Sequence, residues 1–171
     1  MQDMPPDCVA ATPRPFWQGE LLHIFIAEQA AVEMEELDQA HLIAGVGIEG
    51  DRYATGKGHY SSKPSPDRQI TLIETETLEA LVRDHNLVMA PGESRRNLTT
   101  RGVPLNHLVG KRFRIGTDVV LLGSRLNVPC KYLEALLDRP VFAPLINRSG
   151  LNCRIIEGGV IHKGDPIVPL A

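Results

Sequence analysis

Residues 91–116 read PGESRRNLTTRGVPLNHLVGKRFRIG, and the architecture follows from their rhythm. Asn97-Leu98-Thr99-Thr100 and Arg112 to Ile115 have the β-branched, alternating content of short strands, with Gly102, Gly110 and Gly116 marking turns. Val119 to Leu126 adds a third run before Gly123 and Pro129 interrupt it. No helix of useful length fits between these breaks, so this part of the chain is strand-rich.

Outward from that block the same pattern recurs. Upstream, Arg68 to Glu74 (RQITLIE) reads as a strand, and Leu21 to Ala27 as the first one. His41 to Val46 gives a strand closed by the Gly47-Ile48-Glu49-Gly50-Asp51 turn, while Val32 to Leu37 fits no pattern cleanly. Leu78, Leu81 and Val82 share one face after Thr75 and predict a helix of about three turns running towards His85. Downstream, Leu133, Leu136 and Leu137 predict a second short helix after Pro129. Asn152 to Glu157 and Ile161 to Val168 supply the last strands. Many short strands, two helices and no βαβ rhythm predict an α+β, mainly β domain built as a distorted barrel.

At 171 residues the chain suits one domain with a real core. Residues 1–18, with Pro5, Pro6, Pro13 and Pro15, read as a flexible arm, leaving 19–171 as the domain. The apolar runs are too short to span a membrane, and no N-terminal segment has the make-up of a signal peptide. Cys8, Cys130 and Cys153 have neither disulfide-framework nor CxxC spacing, which fits a cytoplasmic protein.

The net charge of −3 is unevenly spread. Between Arg95 and Lys131 eight basic residues face Asp118 alone, and such a concentration can hold an anionic ligand. Nucleic acid is disfavoured, because Phe113 is the only aromatic in that segment and base-stacking surfaces need more.

Cys130 follows Pro129 where the second helix should begin. A thiol there faces free backbone N–H groups, and Lys131 and Arg125 add positive charge, all favouring a thiolate able to ligate metal, carry a persulfide or attack an electrophile. A buried structural cysteine is the alternative. Arg95, Asn97 and Thr99 would share a strand face and offer donors matched to phosphate. Cys153 reads as packed and Asp51–Arg52 as a structural ion pair. The histidines show no metal-ligand spacing, and only His59, in the long loop 54–67, is placed to reach a site. Walker, GxGxxG and GxSxG motifs do not occur.

Taken in order, GIEGDRY (47–53), RQITLIE (68–74), the 91–116 block, RLNVPC (125–130) and NCRIIEGGVIHKGDPI (152–167) resemble a MOSC domain, the molybdenum-cofactor sulfurase C-terminal type. The resemblance covers residues 19 to 170. It implies a barrel-like fold that binds the molybdopterin cofactor, with the cysteine matching Cys130 as molybdenum ligand or persulfide carrier. It further implies that Arg95 and Asn97 hold the cofactor's anionic group. Arg68, Thr99, Arg125, Lys131, Asn152 and Arg154 are expected around the same site, with Arg148 a further candidate. Many members carry a second cysteine where this chain has Asn127, which removes a local dithiol.

Two activities follow as expectations. One is a molybdenum-dependent oxidoreductase reducing N-hydroxylated or N-oxygenated compounds, served by an electron-transfer partner. The other is a sulfur carrier that receives a persulfide on Cys130, for instance from a cysteine desulfurase, without redox turnover of its own. The pyridoxal-phosphate domain of larger relatives has no counterpart in these residues.

Overall fold

The computed structural model describes residues 16–171. The arm expected over 1–18 falls largely outside them, as does Cys8, although Trp17 packs against the core. The strands are β1 (Gly19–Ile26), β2 (Glu35–Leu37), β3 (Gln39–Ile43), β4 (Gly47–Ile48), β5 (Ile70–Glu74), β6 (Leu98–Arg101), β7 (Arg112–Ile115), β8 (Val119–Leu126), β9 (Leu151–Glu157), β10 (Gly159–His162) and β11 (Pro166–Pro169). Two helices, α1 (Thr75–His85) and α2 (Lys131–Leu137), complete the regular structure.

Seven strands close on themselves in the order β11-β7-β8-β9-β5-β6-β1, the circle being sealed where Gly19 pairs with Ile167. Closure removes the free edges that an open sheet would expose. All neighbours are antiparallel except β5 and β6, which run parallel and are bridged by α1. β3, β4 and β10 form a small sheet of their own, and β2 extends β1. The expected α+β, mainly β barrel is therefore observed.

Alternation along each strand sorts the side chains. Leu72, Leu98, Phe113, Leu121, Leu151 and Ile167 point inward and are almost fully buried in the barrel core. The intervening residues face outward. Ile73 on β5 joins Leu78 and Leu81 of α1 and Leu133 of α2 in a second apolar cluster outside the barrel. That cluster fixes α2, and Cys130 packs against its edge.

Two local readings need correction. Ile161 to Val168 is two strands, because Gly164 adopts a left-handed φ of 86° and turns the chain between them. The strand expected over His41 to Val46 stops at Ile43, and β4 folds back to pair with it. Loop 54–67 is a series of turns ending in a single 3-10 turn at Pro66–Arg68.

Candidate functional site

Outward-facing residues of neighbouring strands line up through the sheet register. Thr71 on β5 stands opposite Asn152 on β9, and Asn152 stands opposite Arg125 on β8. This row paves one wall of a cavity of about 290 Å³. Arg125 owes its aim to a register shift between Gly123 and Arg125, the kind of bulge that redirects side chains. Gly123 is obligatory there: a Cβ would lie 2.1 Å from the carbonyl oxygen of Leu108.

The turn from Asn127 to Cys130 forms a second wall and leads into α2. It is anchored by Asn127 N–H, which donates to the carbonyl of Gly150 at 2.8 Å. Gly150 sits at φ 102°, where a Cβ would strike the Leu72 carbonyl, so no other residue fits. The third side comes from Arg52 and Tyr53 and from the 54–67 loop, which contributes His59 and Tyr60. His59 stacks on Tyr132 of α2 at 3.8 Å between ring centroids, clasping loop to helix. Arg68 holds the loop from below by donating to the carbonyls of Tyr60 and Lys63.

Five arginines line this cavity (52, 68, 95, 96 and 125), together with Cys130, Asn127 and Asn152, and no carboxylate among the described residues does. Arg52 is paired with buried Asp51, as expected from the sequence. The other four make no ion pair among the described residues. Arg96 is the most confined. Only 8% exposed, it donates to the carbonyls of Ser94 and Ser149, to Ser149 Oγ and to Asn127 Oδ1, all neutral acceptors. Burial pushes it down to about 10, which still leaves it charged at neutral pH. Arg95 is lowered too, by burial first and then by the charge of Arg52. A desolvated positive field with no internal counter-ion suits an anionic ligand.

Tyr60 is held beside the thiol. Burial first, then the neighbouring Cys130, pushes its hydroxyl up to about 12, so it keeps its proton. Tyr132 completes the wall, and its hydroxyl oxygen is buried without a partner. All three tyrosines of the chain line this one cavity.

The sequence-derived site residues divide accordingly. Cys130, Arg95, Arg68, Arg125 and Asn152 meet in the cavity, and His59 reaches it from the loop. Arg95, Asn97 and Thr99 do not share a strand face. Arg95 ends the turn at Pro91–Ser94 with a left-handed φ of 63°, ahead of β6. Asn97 is buried behind the wall, accepting from Thr71 N–H and Oγ1 and donating to the Phe25 carbonyl. Thr99 is fully buried away from the cavity.

Three further candidates also lie elsewhere. Lys131 turns to Glu134 at 2.7 Å and over the Phe142 ring, Arg154 pairs with Asp67 at 2.7 Å, and Arg148 reaches Asp84. At each position a nearer acceptor on the surface captures the charge. The residues that sequence reasoning missed are Arg52, Tyr53, Tyr60, Arg96, Asn127 and Tyr132, scattered over eighty positions. Arg96 carried a signal as part of the basic run, and Arg52, Tyr53 and Asn127 lie in the GIEGDRY and RLNVPC blocks without being marked as site residues.

A profile of the MOSC domain matches residues 56–168, about two thirds of the chain. The chain belongs to the MOSC domain family. Solved structures agree on the fold. YuaD from Bacillus subtilis superposes with a TM-score of 0.74 at 21% identity, covering 89% of this chain and 97% of that one. YiiM from Geobacillus stearothermophilus gives 0.69 at 16% identity, covering 90% and 75%. YiiM from Escherichia coli gives 0.65 at 20%, covering 89% and 70%. No curated protein matches the chain. Among the described residues of this MOSC domain, no helix is long and apolar enough to cross a membrane.

Proposed function

We propose that this MOSC domain binds the pterin-based molybdenum cofactor, with Cys130 as the protein's ligand to the metal. The observation that carries the reading is the meeting of one thiol and five guanidiniums in a cavity without a carboxylate. The donor set fits the group: guanidinium forks match phosphate oxygens, and a thiolate suits a soft metal. Arg68, Arg95 and Arg125 would take the anionic part, and Arg96 would supply a fixed positive field from below. Tyr60 would orient the sulfur through its hydroxyl, and Asn152 would offer a neutral donor along the sheet wall. When bound, the cofactor supplies the two-electron chemistry that a reduction of N-hydroxylated or N-oxygenated compounds requires.

The test is expression in a host that makes the cofactor, with Cys130→Ala and Arg125→Ala alongside, and assay of bound molybdenum and pterin. Metal in the wild type, lost with Cys130→Ala, is the expected result. Metal content indifferent to Cys130 would rule the reading out.

A second reading is a persulfide carrier on Cys130 supplied by a desulfurase, and what supports it is a half-buried thiol bordering a cavity rich in positive charge. Cys130 would then act alone, carrying sulfur to an acceptor.

A further inference from the structure

The cavity brings a nucleophilic sulfur and a surplus of positive charge into one small, partly enclosed space. We infer that Cys130 accepts sulfur directly from a small anionic sulfane-sulfur donor of the thiosulfate class. The inference rests on the reading of Cys130 as the group that handles sulfur, and it names the donor.

Charge is the first argument. Arg68, Arg95, Arg96 and Arg125 face the cavity without an ion-pair partner among the described residues, and no carboxylate lines it. A doubly charged oxyanion entering such a space meets guanidinium forks that match its oxygens, in surroundings that screen poorly. Arg96 is fixed by four hydrogen bonds and cannot turn away, so its charge is already in place before any donor arrives. The hydroxyl oxygen of Tyr132, in the same wall, is buried and has no hydrogen-bond partner among the described residues.

Access is the second. Cys130 is half-buried, and Tyr60 and His59 of the 54–67 loop line the same cavity, with His59 clasped to Tyr132. A sulfur presented on another protein's surface would have to pass this clasp. A four-oxygen-sized anion fits a cavity of about 290 Å³.

The chemistry balances without an added oxidant or reductant. Cys130, having given its proton to solvent, attacks the outer sulfur of thiosulfate. A new sulfur–sulfur bond to Cys130 forms as the donor's own sulfur–sulfur bond breaks, and sulfite leaves with that electron pair. The charge that develops on sulfite stays among the arginines, where preorganised donors stabilise it. Cys130 is left as a persulfide, and a nucleophilic acceptor such as cyanide can remove the outer sulfur as thiocyanate and restore the thiolate.

The experiment uses the full chain, prepared free of metal, with sodium thiosulfate as the probe. Intact-mass and peptide analysis follow sulfur on Cys130, released sulfite is titrated, and cyanide is added to count turnovers. The expected result is a gain of one sulfur atom mapped to Cys130 with matching sulfite, absent in Cys130→Ser. Arg125→Gln should raise the half-saturating thiosulfate concentration about tenfold, the loss expected for one hydrogen bond to a charged group. Lys131→Ala, outside the cavity, should leave it unchanged. No sulfite from the wild type, sulfur gain that survives Cys130→Ser, or a half-saturation indifferent to Arg125 would each overturn the inference. Molybdenum retention is scored on separate, cofactor-loaded preparations, so failure of one reading is visible independently of the other.

Discussion

Arg96 donates from Nη2 to Oδ1 of Asn127 at 2.7 Å, tying the floor of the cavity to the turn that carries Cys130. Asn127 passes the link on, since its Nδ2 donates to Asn152 Oδ1 at 2.6 Å. Asn127, where the MOSC resemblance leads one to expect a second cysteine, is the keystone of a polar chain.

Removing that keystone leaves a buried guanidinium N–H and a buried amide oxygen unpaired. Asn127→Ala should cost about 1–3 kcal/mol in urea unfolding. Asn127→Asp, which supplies an anion to Arg96, should lower molybdenum retention more than it lowers stability, because it fills the positive field from within.

Glu74 predicts a pH signature. Burial first raises its carboxyl above the ordinary 4.5, while Leu105 N–H donates to it at 2.8 Å. A raised folded value means the native state holds the proton more tightly than the unfolded chain. That stabilisation is complete below 4.5 and is lost as pH rises through the folded value. Glu74→Gln should therefore melt higher than the wild type at neutral pH, with the gap closing in acid. A gap independent of pH would contradict this account.

The two described cysteines should separate cleanly by alkylation. Cys153 is fully buried in the barrel core, and burial pushes its thiol up. In a Cys8→Ser background, native protein at mild alkaline pH should take one label, on Cys130, and unfolded protein two.

Lys131 and Arg68 should behave differently despite equal charge. Lys131 spends its ammonium on Glu134 at the surface, where solvent screening leaves such a pair little weight. Lys131→Ala should change neither stability nor cofactor content measurably. Arg68→Ala should lower cofactor content and also loosen loop 54–67, seen as faster amide exchange there.

Much of this fold was legible in the sequence. The 119–126 and 112–115 strands and the 75–85 helix fall where alternation and helical spacing place them, because each is a continuous element with one buried face. What escaped was set by distant geometry. Arg95 looked like a strand residue because alternation with Asn97 and Thr99 extends back to it, yet β6 begins only at Leu98 and a left-handed turn places Arg95 ahead of it. Lys131 looked like a partner for Cys130 because it is adjacent, but adjacent residues at a helix start diverge. Tyr53, Tyr60 and Tyr132 converge only because loop and helix meet across the barrel's outer face, and no local pattern encodes that. Phe113, the one aromatic weighed against nucleic-acid binding, is fully buried and offers no stacking surface.

The seal between β1 and β11 has a bearing on biosynthesis. Gly19 cannot meet Ile167 until every residue between them has left the ribosome. Until then the nascent chain carries two unsatisfied strand edges, each a template for pairing with a neighbour. Newly made protein thus passes through an open-staved stage whose length scales with translation time. Slowed elongation, or loss of the final strand, should send this chain into inclusion bodies before any defect at Cys130 could be felt.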